Sequence, residues 1–232
     1  MKLYLSIISF LFIHLCYSQV IDLSQDELLR SGNVFLKKFN TSNSDIKGNP
    51  FLEEKFQKGN ISFPNGKIYT AFIRLDVANQ KFEIKKDLNS KPSSIEIDNS
   101  VSVTINQDNF KNRSFELGNN KTIGILKECL ITEKYELFYY PQKIIEMPNN
   151  NGISAPPTGY TKTPQAKWKD NSSFIIFYDG KTYQLPTSHK KMIELRLFDE
   201  KLYKKYRKAN KLNLKNEESL KGLVSYFNSL HP

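Results

Sequence analysis

A chain of 232 residues with 34 Lys and Arg against 24 Asp and Glu carries a formal net charge of +10, and it has only two cysteines. That length allows one large domain, or one domain with an appendage, and the cysteine count excludes a scaffold stapled by several disulfides. Only five of the basic residues are arginine, the side chain on which bidentate and stacking base contacts lean, so the charge argues against a reader of nucleic acid.

The N-terminal residues 1–18 have the order of a secretory signal peptide. Lys2 supplies the positive start, residues 3–15 (LYLSIISFLFIHL) the short apolar run, and Cys16-Tyr17-Ser18 small side chains at the −3 and −1 positions, Cys16 and Ser18, of a cut between Ser18 and Gln19. The run is shorter than the roughly 20 apolar residues that cross a bilayer. A lipoprotein cut before Cys16 would want a small residue at Leu15. The expectation is an exported chain, periplasmic or secreted, with no transmembrane segment after the cut. Processing at Ser18 leaves Cys129, His189 and His231, which is too few for a zinc centre built from Cys and His, so neither metal nor cofactor is expected. Cys129, inside the apolar stretch ILKECLI, reads as a small buried residue.

Residues 19–47 form a polar lead-in, with a short helix expected around 26–39. Residues 48–186 read as a β-rich domain. Pro64-Asn65-Gly66 lies between apolar runs and signals a tight hairpin, since Asn and Gly tolerate φ > 0. Strands are expected at 60–63, 67–75, 81–86, 94–97, 101–105, 114–117, 123–131 and 134–140. The alternation of Phe82 and Ile84 with charges puts apolar groups on one sheet face. Residues 147–171, rich in Asn, Pro and Gly, read as a long surface loop. Strands resume at 173–178 and 181–185 around Asp179-Gly180.

After Pro186 the period changes, and residues 187–232 read as a basic helical tail packing on the β domain. Thr187 or Ser188 is placed to cap a helix carrying Met192, Ile193, Leu195 and Leu197-Phe198. Asp199 caps a second, and Asn216, followed by Glu217 and Glu218, a third with the stripe Leu220, Leu223, Val224, Phe227. The fold class is α+β: an antiparallel β-rich domain followed by two or three C-terminal α-helices.

No catalytic constellation emerges. His189 is the one internal histidine, and the sequence holds no Gly-rich phosphate loop. Glu96 and Asp98 would share a strand face if Ile95 and Ile97 point inward. That arrangement, the pairs Glu53-Glu54 and Glu217-Glu218, and the exported location motivate an alternative, a carboxylate-based hydrolase of a glycan or envelope polymer. The tail carries eleven basic and five acidic residues. Lys201, Lys204, Lys205, Arg207, Lys208 and Lys211, interleaved with Tyr203 and Tyr206, are the candidate contacts to an anionic surface. The expected partners are an envelope protein, a polysaccharide or anionic lipid head groups. The plainer reading is a solvated face, lysine-rich through codon usage.

Gly48-Asn49-Pro50-Phe51-Leu52, Phe56-Gln57-Lys58-Gly59, Gly66-Lys67-Ile68-Tyr69 and Arg74-Leu75-Asp76, with the ending 201–230, resemble a loosely defined group of exported, functionally uncharacterised proteins of Gram-negative bacteria. The resemblance spans about residues 48–230 and departs at Leu75-Asp76-Val77. It implies an envelope or periplasmic location and brings no catalytic residues.

Overall fold

The computed structural model describes residues 34–37, 46–118, 120–148 and 165–230. The expected signal at 1–18 lies outside the described residues. The strands are β1 (Val34–Lys37), β2 (Gln57–Ser62), β3 (Ile68–Asp76), β4 (Lys81–Lys85), β5 (Ser93–Ile97), β6 (Ser102–Ile105), β7 (Asp108–Leu117), β8 (Asn120–Ile131), β9 (Tyr135–Tyr140), β10 (Lys143–Glu146), β11 (Lys167–Asp170), β12 (Ser173–Tyr178) and β13 (Lys181–Gln184). Three helices follow: α1 (His189–Glu194), α2 (Glu200–Asn210) and α3 (Glu217–Ser229). The α+β architecture is as the sequence implies.

Turn chemistry sets the first half. At Pro64-Asn65-Gly66 the Phe63 and Gly66 amides close the loop between β2 and β3, and the Asn65 side chain accepts from the Lys67 amide. Gly66 takes φ +81°, where a Cβ is disfavoured. The meander β2 to β5 is then extended on its other side by β6, which pairs β2, giving the order β1-β5-β4-β3-β2-β6-β7-β8-β9-β12-β13. All eleven strands pair antiparallel. So wide a sheet curls to bury one face. The first core lies within it: Ile61, Ile73, Leu75, Phe82, Ile84, Ile95, Val103 and Phe110 are all but sealed.

The second half is covered on both faces. Along β9, Tyr135 and Leu137 face the helices, whereas Phe138 and Tyr140 join Phe115, Leu126 and Ile175 on the opposite face. This is the period of two that a strand imposes. The helical layer is anchored by Leu220, Leu223, Val224 and Phe227 of α3, each 2% exposed or less. Each contributes roughly 1.5–3 kcal/mol by burial. Asp199 caps α2 by accepting from the Leu202 amide at 2.8 Å, and Asn216 caps α3 by accepting from Ser219 at 2.8 Å. Removing either cap oxygen forgoes about 1 kcal/mol.

Four expectations need correction. Residues 34–37, expected inside a helix, form a strand registered on β5 from Val34–Ile97 to Lys37–Ser94. β7 starts at Asp108 and not at 114, because its polar first half is held by β6. The expected loop 147–171 contains β11, which pairs β10, a strand not anticipated; residues 149–164 of that loop lie outside the described residues. Helix α1 stops at Glu194 because Arg196 turns to φ +53°, so Leu197 and Phe198 reach the core from non-helical backbone. Ser188 occupies its N-cap position without a side-chain cap bond.

Residues 47–56 strap the two halves together. Leu52 N–H donates to Leu75 C=O and Val77 N–H to Pro50 C=O, while Lys47 exchanges backbone bonds with Ala166 and Trp168 beside β11. Arg74 pins the strap. Its guanidinium lies 3.5 Å from the Phe51 ring centroid and 4.3 Å from that of Phe56, donates to Glu83 through two nitrogens, and reaches Glu54 C=O. Planar charge between two aromatic faces is a fit that Lys could not reproduce.

Candidate functional site

Helix α2 advances about 100° per residue. That spacing puts Lys201, Lys204, Lys205 and Lys208 within an arc of about 100°, on the side away from the buried Tyr203. All four are exposed. Lys204 pairs with Glu200 one turn earlier. Lys201, Lys205 and Lys208 have no carboxylate partner among the described residues.

The other two candidates sit apart from this face. Arg207 lies toward His189, whose pKa is lowered first by burial and then by the Arg207 charge. Lys211 has left the helix: it takes φ 48° and caps α2 by donating its N–H to Arg207 C=O.

Local helix physics does not account for the lysine face. Cations in the last turn suit the macrodipole, which covers Lys208, but Lys201 stands in the first turn, where positive charge is disfavoured. The like-charge pairs Lys201/Lys205 and Lys204/Lys208 each cost a few tenths of a kcal/mol. The face is kept at a small local expense.

Polar contacts fasten the helical layer to the sheet. Lys127 on β8, with its side chain 14% exposed, donates to Glu217 at 2.7 Å and lies 3.4 Å from Asp108; Lys221 donates to the other Glu217 oxygen at 2.9 Å. Burial pushes the Glu217 carboxyl up, but the two lysines outweigh it and hold it below the usual carboxylate range. Cys129 lies beside this network at a bulge of β8, opposite no residue of β9. Burial, followed by the Glu217 charge, pushes its thiol up to about 12.

The candidates for chemistry are spent otherwise. His189 Nδ1 lies 2.7 Å from the Tyr203 hydroxyl and its charged neighbour is Arg207, so no carboxylate among the described residues orients it as a general base requires. Ile95 and Ile97 do point inward, but Asp98 accepts from the Ser100 amide and hydroxyl, and Glu96 is also engaged. The two buried carboxylates among the described residues are structural: Asp76 holds the turn through Asn79, and Glu83 holds Arg74. A broad cleft of about 680 Å³ carries Glu194, Asp199 and Glu200 against aromatic walls, yet all three carboxylates are exposed, Asp199 caps α2 and Glu200 binds Lys204. Among the described residues no cluster of His, Cys, Asp and Glu could hold a metal ion.

Sequence reasoning found these lysines through the charge excess of the tail, but grouped Arg207 and Lys211 with them. It missed the Arg74 sandwich and the clefts beside the helices, because these join residues of separate elements. No protein-family model matches the chain, and comparison with curated proteins and with solved structures gave no match.

Proposed function

We propose that this is an exported, non-enzymatic protein that docks on an anionic surface of the cell envelope through α2. One observation carries the reading: Lys201, Lys204, Lys205 and Lys208 tile one exposed face, with a single carboxylate among the described residues answering them. The order of charge, apolar run and small residues at 1–18 and the resemblance to exported proteins support an envelope location. No helix among the described residues is long and apolar enough to cross a membrane.

The size of the effect fits reversible docking. A lysine near an anionic lipid surface contributes about 1 kcal/mol. Four give about 4 kcal/mol, which corresponds to a Kd of about 1 mM. Contact of that strength holds a protein at a surface only where that surface is abundant. The test is cosedimentation with mixed phosphatidylethanolamine and phosphatidylglycerol vesicles. The wild-type chain should pellet at low salt and be released near 1 M salt, where the Debye length falls to about 3 Å. A folded Lys204→Glu, Lys205→Glu, Lys208→Glu variant should stay in the supernatant. Equal pelleting of the two would overturn the reading.

A further inference from the structure

One imidazole joins three parts of the helical layer. His189 opens α1, its Nδ1 lies 2.7 Å from the hydroxyl of Tyr203 on the buried side of α2, and its ring also bonds the Leu212 carbonyl in the loop between α2 and α3. Tyr203 is 1% exposed, and the imidazole is the one partner of its hydroxyl among the described residues. A carbonyl only accepts, so the proton of the neutral ring serves Leu212, and Nδ1 accepts from the Tyr203 hydroxyl. Each polar atom is then answered. Protonation turns Nδ1 into a donor, and the Tyr203 proton loses its acceptor inside the apolar cluster beneath the helices.

We infer that His189 is an acid-sensitive latch, which when neutral ties α2 to α1 and to the α2–α3 loop and when protonated lets α2 loosen. The groups around the ring agree. From α2 the titratable side chains that face it are Tyr203 and Arg207, and the guanidinium opposes a second positive charge. The loop adds the Leu212 carbonyl, which favours the charged ring. Among the described residues no charge of α1 or of the strands beneath acts on it. Burial is the largest effect, and with Arg207 it outweighs Leu212 and lowers the imidazole below its ordinary range. The unfolded chain therefore takes up the proton first. Stability is whole above the ordinary imidazole range and falls as the pH drops through it. Because α2 carries the lysine face, the purpose of the latch rests on the docking reading. The latch itself does not.

The experiment compares the full chain at about pH 7 and about pH 5, between which ordinary carboxylates stay mostly ionised. In urea titrations the wild-type unfolding constant should rise on acidification. The rise should approach tenfold for each unit by which His189, titrated by NMR, lies below an unfolded histidine. Long-range nitrogen spectra at the higher pH should show Nδ1 without a proton. Amides of α2, corrected for intrinsic rates and set against those of the first core, should exchange faster in acid. His189→Gln, neutral throughout, should lose most of these changes, and Arg207→Gln, at an exposed position, should reduce them. An unfolding constant that does not rise in acid, a proton on Nδ1 at the higher pH, or changes that persist undiminished in both variants overturn the latch. Vesicles take no part, so failure of the lysine face to bind them leaves it standing.

Discussion

Gly59→Ala will destabilise the fold by about 3 kcal/mol, the upper part of the range for forcing extra volume into a packed interior. In a chain of this size that lowers Tm by about 6–12 °C. Gly59 lies in β2 between β3 and β6, and an added Cβ would stand 2.5 Å from the Thr104 carbonyl oxygen and 3.2 Å from Ile73 Cδ1. A side-chain tip could rotate away, but the Thr104 oxygen belongs to the ladder of the neighbouring strand. Relief therefore means separating β2 from β6, the junction through which the meander joins the rest of the sheet. Gly66→Ala provides the contrast. Nothing lies within 4 Å of its added Cβ, and only its φ of +81° is unfavourable. It should cost about 1–2 kcal/mol. Thermal unfolding that ranks Gly66→Ala as the more damaging change would contradict this account.

Gln80→Ala should cost about 2–4 kcal/mol, although Gln80 lies in a turn. Its side chain leaves the β3–β4 turn and crosses to the second half of the sheet. There the Ile125 amide donates to Gln80 Oε1 at 2.8 Å, and Gln80 Nε2 donates to Val77 C=O at 2.8 Å and Pro141 C=O at 2.9 Å. Two carbonyls and one amide fix which end of the amide is nitrogen. The bridge lies where β9 has ended at Pro141 while β8 runs on, so the Ile125 amide has no β9 strand to pair with. Gly124 makes room for it: a Cβ there would meet the Tyr140 ring at 2.7 Å and Gln80 Oε1 at 3.1 Å. Truncation leaves backbone groups unanswered at about 1–3 kcal/mol each. Gln80→Glu should not rescue, since a carboxylate offers nothing to the two carbonyls. Urea titration gives the stability, and hydrogen exchange at the Ile125 amide should accelerate in Gln80→Ala, which removes its acceptor. Wild-type exchange at that amide would refute the bridge.

The parts legible in the sequence are those whose cause is local. Asn65-Gly66 and Asp179-Gly180 declared hairpins because a turn needs particular residues within a few positions. Asp199 and Asn216 declared helix starts for the same reason. The basic cluster 201–211 was legible as a charge excess, but which of its members share a face, Lys201, Lys204, Lys205 and Lys208 without Arg207 and Lys211, needed the bounds of α2. What escaped depends on distant partners. Val34–Lys37 is a strand because β5 is there to receive it, and the first half of β7 has Phe110 as its one sealed residue. Residues 167–170 extend because β10 and Lys47 flank them. The cleft of about 480 Å³ between β9, β12 and the α2–α3 loop joins positions from 139 to 215. No window of sequence contains it.

The bulge at Cys129 gives the molecule a clock. With burial against the helical layer pushing the half-buried thiol up to about 12, little of it is thiolate near neutral pH, and an alkylating reagent reacts slowly with the closed form. In a Cys16→Ser chain, the rate of labelling then measures how often α3 lifts from β8, a local opening that precedes loss of the sheet. Weakening the Lys127–Glu217 tie should quicken that rate while leaving the unfolding of the first core unchanged.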